Sequence, residues 1–461
     1  MSEPAGIVPQ RALIVLPTTG EFDSRTYRIA SALVARGHEV TVLARQGPGL
    51  PAAEDHPAGY RIVRVPVSAV DGLPLPGWAR RGIERLRARR RAATPAAASS
   101  AASSAASSAT AAAASTGLVA SPARGRRGRL IGGLLRIAAI VLTVRSQRRA
   151  ALASVRAAGL GPDLVHGMAY MGIPVALELG RATGAKVVYD ARDIYLEAAN
   201  LARLPRLARA LLARVERRWA RRADRVVTVN RPYAEVMAAR FGVPLPAIVM
   251  NCSYRYLPPD PPARRFHERL GLDPASRVVL YQGGFSRERG IEQLLEAIGL
   301  VPSAVLVLLG YGPLQAELEA RAADPASGGR VRVLPAVPPS ELLDWVAAAD
   351  VVAMPIQPTT LNHRLTTPNK LFEALAAGVP VVASDLPGMA GIVAETGCGL
   401  LVDPTDPAAL AAALRAILDA PAADRRAWRE RALAAAHATY NWERQAAVLL
   451  DEYTKLTGRR W

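Results

Sequence analysis

Short apolar runs alternate with amphipathic stretches along most of the sequence, and this alternation restricts the fold more than any other feature. In the first half, strand-length runs stand at 11–17, 38–45, 61–67, 164–168, 186–191, 225–230 and 248–251. Several are unbroken Val/Ile/Leu runs, the pattern of parallel strands covered on both faces. Helical stretches at 25–36 and 207–222 lie between them, and Gly37 follows the first as a C-cap. The second half is more regular. Strands read at 278–283, 304–310, 331–335, 351–355, 380–384 and 400–403. Helices read at 291–300, 313–322, 339–348, 368–377, 388–395 and 407–418. Each half is therefore a βα series that builds a parallel sheet. The 461 residues leave room for two or three domains at about 150 residues each. Pro258-Pro259-Asp260-Pro261-Pro262 reads as the linker between the halves. The expectation is an α/β chain of two Rossmann-like, doubly wound parallel-sheet domains facing a central cleft at the carboxyl ends of their strands.

Composition narrows the function. Half the residues are apolar, which excludes global disorder, and two cysteines, Cys252 and Cys398, exclude a disulfide scaffold or a cysteine-rich metal site. The net charge of +19 favours anionic partners: phosphorylated ligands, acidic lipid headgroups or nucleic acid. Aromatic residues are only 5% and none interleaves the basic runs, which speaks against nucleic acid. The first apolar run is only strand-length and follows Glu3, so no secretory signal is read and a cytoplasmic protein is expected.

One region departs from the alternation. Residues 72–150 form a basic, Ala/Ser-rich insertion in the first domain, and 92–116 contain only Ala, Ser, Thr and one Pro. This low-complexity part reads as flexible or weakly helical. Basic clusters at 80–91 and 124–129 flank it, and the apolar stretch 130–144 follows, interrupted by Arg136. That stretch falls short of the roughly 20 residues a membrane span needs. Charge beside an apolar stretch is the pattern of a segment lying on an anionic membrane surface. The plainer alternative is a disordered arm and a helix packed on the first domain.

Three stretches of the second half share one arrangement of strand, turn and helix. They are Gly283-Gly284-Phe285-Ser286-Arg287-Glu288-Arg289-Gly290, then Gly310-Tyr311-Gly312-Pro313, then Thr366-Thr367-Pro368-Asn369-Lys370. Pro313 suits a first helical position and Thr367 an N-cap before Pro368. Helix N-termini present free N–H groups and the positive dipole end, so they bind phosphate. Lys370 and Arg289 both stand in such first turns, where a cation opposes the dipole by roughly 0.3–1 kcal/mol. A diphosphate offsets this cost, because charge-assisted hydrogen bonds contribute roughly 1.5–3 kcal/mol each. Lys370 is also one of only three lysines among 58 basic residues. A solvated Lys370–Glu373 pair at i,i+3 is the plainer alternative.

The ordered set resembles the family 4 glycosyltransferases, retaining enzymes of the GT-B fold. The stretch from Thr366 through Asn369-Lys370-Leu371-Phe372-Glu373 to Ser384 is similar to their donor-binding signature, in the subgroup with a Ser/Thr-Pro-Asn-Lys motif. The similarity extends over 281–290, 310–313, 337–342, 349–355 and 399–404. In the first half it includes Phe22-Asp23-Ser24-Arg25, Gly37-His38-Glu39, Asp163-Leu164-Val165-His166 and Asp190-Ala191-Arg192-Asp193. Tyr440-Asn441-Trp442-Glu443 resembles the start of a helix that crosses back to the first domain. The implied domains are 1–255 (acceptor side), 256–435 (nucleotide-sugar side) and a crossing helix over 436–461.

The resemblance implies site roles. Lys370, Glu373, Arg289 and His166 are the implied catalytic set. Lys370 and Arg289 match the cations that hold the donor diphosphate, and Glu373 the carboxylate that binds its ribose. Gly283, Gly284, Gly310, Gly312, Pro313, Thr367 and Asn369 complete the donor side. Asp23, Arg25, His166, Asp190, Arg192 and Asp193 form the acceptor side, although a hydrogen-bonded structural histidine, an ion pair or an N-cap explains several of them nearly as well. His166 is expected at a strand's carboxyl end, inside the cleft. Two positions depart from the pattern: Leu365 stands where the family's first motif Glu belongs, and Gly284 where a diphosphate Arg is usual. Asn362, His363 and Arg364 are candidates for the donor sugar's hydroxyls. The implied activity is sugar transfer from a nucleotide-diphosphate sugar to a lipid-linked, polysaccharide or other glycan acceptor. No metal or other cofactor is expected, since fixed cations serve the leaving group. A peripheral position on the inner face of the plasma membrane is expected. A sugar-nucleotide epimerase of the same fold, or a catalytically degenerate partner protein, are the alternatives.

Overall fold

The computed structural model describes residues 8–21, 23–68, 126–198, 201 and 204–461, with the backbone alone for 126–136. The basic cluster at 80–91 and the low-complexity stretch 92–116 lie outside the described residues.

The first sheet contains β1 (Arg11–Val15), β2 (Glu39–Arg45), β3 (Ala53–Asp55), β4 (Arg61–Val65), β5 (Leu164–Met168), β6 (Lys186–Asp190), β7 (Arg225–Thr228) and β8 (Ala247–Ile248). Their order is β3-β4-β2-β1-β5-β6-β7-β8, and every pair is parallel except β3–β4. The chain winds outward from β1 to β4 and restarts at β5. The topological switch point therefore lies between β1 and β5. β3 carries no apolar alternation. It is held by antiparallel pairing with β4 and by the Arg64–Glu54 ion pair at 2.6 Å. β8 ends sooner than the apolar run, because residues 249–251 serve side chains instead. Val249 O accepts from Arg25, Met250 N donates to Gln445, and Asn251 O accepts from Arg28.

The second sheet contains β9 (Arg277–Gly284), β10 (Ala304–Tyr311), β11 (Val331–Pro335), β12 (Val351–Met354), β13 (Val381–Ser384) and β14 (Gly399–Val402). It is parallel throughout, in the order β11-β10-β9-β12-β13-β14. Leu371, Phe372, Leu375 and Met389 cover one face, and Ile291, Leu294, Leu410 and Leu414 the other. Each such burial contributes about 1.5–3 kcal/mol before conformational entropy is charged against it.

The apolar stretch 130–144 belongs to one long helix, Arg126–Ala157. It continues past the arginines because Ala151 and Val155 reach the first core and Gln147 donates to Leu16 O at 3.1 Å. Among the described residues, no helix is long and apolar enough to cross a membrane. At the other end of the chain, Tyr440 packs beside Phe372 in the second domain. The following helix, Trp442–Thr457, lays Trp442, Leu449, Leu450 and Tyr453 into the core of the first. Asn441 caps it by accepting from Arg444 N at 2.9 Å.

The helix Arg206–Ala220 buries Glu216, whose carboxylate accepts from Tyr189 Oη at 2.8 Å. Burial pushes the Glu216 carboxyl up to about 7. The folded chain therefore binds this proton more tightly than the unfolded chain. The stability from the neutral form is present below the unfolded value and is lost as pH rises through the folded one. Glu216→Gln is expected to flatten the decline in stability between pH 5 and 8, read from urea midpoints. A decline equal to that of the wild type would contradict this assignment.

Candidate active site

The donor-side candidates meet at the carboxyl edge of the second sheet. Gly310 pairs with Gly283 and Tyr311 with Gly284 at the ends of β10 and β9, so the two turns emerge side by side. Gly283 has φ +118°, and a side chain there would point at Lys370 Nζ, 3.9 Å from the missing Cβ. A Cβ on Gly312 would stand 2.4 Å from Phe285 O, so only glycine lets the turns approach this closely. Glu288 holds φ +66° in the same turn, a strained geometry for a residue with a side chain.

Lys370 is half-buried in the first turn of the helix Asn369–Ala377, with its ammonium 3.4 Å from the centroid of the Tyr281 ring. Burial, with the charge of Arg289 added, holds this amine well below its ordinary range, while Glu373 opposes the shift. Glu373 accepts from Gln282 Nε2 at 3.2 Å. Burial raises its carboxyl, against the charges of Arg28 and Lys370. Among the described residues, neither Lys370 nor Arg289 forms an ion pair with any carboxylate within 4.0 Å. Two neighbouring half-buried cations thus stand beside the glycine turns, with Glu373 and Asp193 acting on them only from beyond ion-pair distance. His363, hydrogen-bonded to Thr359 at 2.8 Å, is pushed down to about 4 by burial and by Arg289. It is therefore neutral at pH 7 beside Arg289. Arg364 is exposed.

Three expected helix starts are corrected. Arg289 does not stand in a first turn: the helix Ile291–Gly299 is capped by Gly290, and Arg289 precedes the cap in the turn after β9. Thr367 does not cap the helix Asn369–Ala377, because Pro368 occupies the cap position without a side-chain bond. The Thr367 hydroxyl is used elsewhere: it donates to Gly388 O at 2.6 Å and accepts from Asn230 Nδ2 at 2.9 Å. Pro313 stands before the helix Gln315–Ala323 and not at its first position, since the turn folds back to bond Leu314 N to Phe285 O.

The acceptor-side candidates are tied to one another more than they are open. His166 is corrected in position. It lies within β5 and is fully buried, not exposed at the strand's end. Its Nδ1 is 2.6 Å from Tyr453 Oη and its Nε2 is 3.1 Å from Asp190 Oδ2. The same Asp190 oxygen accepts from Arg25 Nε at 2.7 Å, and Arg25 also donates to Val249 O. Arg25, Asp190, His166 and Tyr453 are thus one buried network under the cleft. Asp23 caps the helix Ser24–Val34 and accepts two bonds from Arg192 at 2.8 and 2.9 Å. Burial opposes its charge, yet Arg192 holds the Asp23 carboxyl below the ordinary range. Asp193 is raised by burial and accepts from Asn362 Nδ2 at 3.2 Å.

Asn362 joins the two domains. Its Oδ1 accepts from Ile194 N and from Tyr233 Oη, both at 2.8 Å. Leu365 explains its own departure from the expected Glu: its side chain packs against the first domain's core and its carbonyl accepts from Asn230 at 2.7 Å. Asn369 meets Asn251 of the first domain at 3.0 Å.

Sequence reasoning missed Arg28, Asn230, Tyr281 and Gln282. Arg28 follows Arg25 by three residues on the same helix face. Asn230 closes an apolar run immediately before a helix, a capping position. Gln282 is a polar residue at the end of the apolar strand β9.

Family models agree with this architecture piece by piece. Residues 276–420 match "Glycosyl transferases group 1", 118–253 a glycosyl transferase 4-like domain, and 24–122 glycosyltransferase family 4. A D-inositol 3-phosphate glycosyltransferase of Xylanimonas cellulosilytica is 34% identical over 253 residues, covering 52% of this chain and 58% of that protein. The chain thus spans little more than half the length of this relative. Sucrose-phosphate synthase from Thermosynechococcus elongatus superposes with a TM-score of 0.69 at 21% identity, covering 97% of this chain and 99% of that one. Anabaena HepE in complex with UDP superposes with a TM-score of 0.59 at 15% identity, covering 97% and 100%. The chain has the GT-B fold, and stretches of both domains are similar to the group 1 and family 4 glycosyltransferases.

Proposed function

We propose that the chain is a retaining glycosyltransferase that moves a sugar from a nucleotide-diphosphate sugar to a glycan acceptor, lipid-linked or polysaccharide. The observation that carries this reading is the pair of half-buried cations, Arg289 and Lys370, with no carboxylate within 4.0 Å among the described residues, beside the glycine turns of β9 and β10. A diphosphate there relieves the repulsion between them and favours the charged form of Lys370, which burial and Arg289 disfavour. Glu373, one turn further along the same helix, receives the donor's ribose. Gly283, Gly284, Gly310, Gly312 and Pro313 let the nucleotide approach the backbone. Thr367 and Asn369 hold the helix start against the first domain. Asp23, Arg25, His166, Asp190, Arg192 and Asp193 support the acceptor side from below.

In the reaction the bond from the sugar's anomeric carbon to the phosphate oxygen breaks. A bond from the same carbon to the acceptor oxygen forms on the same face. The acceptor's proton passes to the departing phosphate oxygen. The diphosphate gains negative charge as it leaves, and fixed cations stabilise charge that develops in the transition state. Two such cations make a divalent metal unnecessary. A cytoplasmic position against an anionic membrane surface is part of this reading, supported by the net charge of +19.

The test is transfer from UDP-, GDP-, ADP- and dTDP-sugars to a panel of acceptors containing membrane lipid extracts, oligosaccharides and inositol phosphate. One donor is expected to release its nucleoside diphosphate, with EDTA making no difference and the product keeping the donor's anomeric configuration. An inverted product, a metal requirement, or a rearranged nucleotide sugar formed without acceptor would contradict the proposal.

A further inference from the structure

The helix Arg206–Ala220 has an outer face that neither the core nor the cleft uses. Its inner face is settled: Leu212, Glu216 and Ala220 are buried. On the outer face Leu207 is 87% exposed and Leu211 is 54% exposed, one turn apart. The two leucines give this face an apolar pair whose burial in lipid would be favourable. The rest of that face is cationic. Arg206, Arg214, Arg217 and Arg218 are exposed, and so are Arg221 and Arg222 just past the helix end.

None of these six arginines takes part in an ion pair among the described residues. The acidic groups nearby are already committed. Glu197 holds Arg209 and Arg240, Glu235 holds Arg231, Asp224 holds Lys186, and Glu216 is buried against Tyr189. The face therefore carries a net positive field that no ion pair among the described residues neutralises. A second helix stands beside it. Arg126–Ala157 touches Arg206–Ala220 and exposes Val141 and Arg145.

The connectivity gives the face a direction. β6 runs toward the cleft and ends in Asp190, with Arg192 and Asp193 just beyond. The chain then turns back along Arg206–Ala220 and re-enters the sheet at β7, which is parallel to β6. The leucine end of the helix is therefore the end near the cleft.

We propose that the outer face of the helix Arg206–Ala220 docks the first domain on an anionic phospholipid surface, with Leu207 and Leu211 entering the lipid and the arginines meeting the headgroups. Aliphatic side chains ringed by arginine suit a lipid interface, whereas a nucleic-acid surface is read by stacking side chains. The docked face holds the cleft beside the membrane, where a lipid-linked acceptor is presented. This rests on the membrane reading of the proposed function but not on residues 72–150, to which that reading first pointed.

The full chain is sedimented with vesicles of phosphatidylcholine alone, or of equal parts phosphatidylcholine and phosphatidylglycerol. Two variants accompany it: Leu207→Ser with Leu211→Ser, and Arg214→Gln with Arg218→Gln. Thermal melting checks that both fold, as expected for exposed positions. The wild type is expected to bind the anionic vesicles and not the neutral ones, and each double variant to weaken that binding by about tenfold or more. No binding by the wild type would overturn both this inference and the membrane reading. Binding that survives both variants but is lost when the arginines of 80–91 become glutamine would overturn this inference alone. Loss with the arginine variant but not the leucine variant would also overturn it, because the face would then be a charge patch for a soluble polyanion.

Discussion

Replacing Lys370 with alanine lowers kcat by about 10²–10³-fold and leaves the melting temperature unchanged or higher. The two effects separate because the folded protein gains little from this ammonium. It sits 3.4 Å over the Tyr281 ring, but burial and Arg289 both disfavour its charge. Removing it relieves that repulsion, so the fold does not suffer. The loss appears when the diphosphate departs, since Arg289 is then left alone with the charge that develops. Lys370→Arg does not rescue activity, because the larger guanidinium must fit between the Tyr281 ring and the turn at Gly283. Steady-state kinetics with the preferred donor makes the measurement. A kcat within twofold of wild type would remove Lys370 from the reaction.

The second large effect is on stability. Asp190→Ala costs about 3–5 kcal/mol, the penalty for breaking a buried ion pair from one side. Arg25 and Asp190 have side-chain exposures of 1% and 0% and a separation of 2.7 Å. Without Asp190 the Arg25 guanidinium keeps only the Val249 carbonyl, and His166 keeps only Tyr453. The same pair gives stability a pH dependence. Burial opposes the Asp190 charge, yet Arg25 and His166 hold its carboxyl well below the ordinary carboxylate range. Its contribution is therefore complete above that range and is lost as pH falls below it. Urea unfolding of wild type and variant gives both quantities. A loss under 1 kcal/mol would mean that water reaches Arg25 and that the network is not sealed.

Why some of this was legible in the sequence follows from what each residue does. The parallel strands announce themselves because both faces are buried, so runs such as Val278-Val279-Leu280 cannot alternate. The turns after β9 and β10 are equally visible, since Gly312 has no room for a side chain against Phe285. β3 is invisible because three residues held by an edge pairing and an ion pair need no apolar pattern. The site was harder. Thr367 has the chemistry of an N-cap, but a hydroxyl between Asn230 and Gly388 is a tertiary arrangement that local pattern does not encode. His166 at the end of an apolar run looks like a cleft residue. Its partners Asp190 and Tyr453 lie 24 and 287 positions away, so its burial is set by the crossing helix. Leu365 reads as a lost Glu until its side chain is seen against the first domain's core.

The central claim is that Arg289 and Lys370 hold a nucleotide diphosphate. Thermal-shift titration of UDP-, GDP-, ADP- and dTDP-sugars, with and without magnesium, tests it on wild type and on the Lys370→Ala and Glu373→Ala variants. At 100 times its Kd, a bound donor stabilises the native state by about 2.7 kcal/mol, a visible rise in Tm. The account predicts a shift for one nucleotide class that is independent of magnesium and is reduced or abolished in both variants. No shift with any nucleotide, or an undiminished shift in both variants, would contradict it.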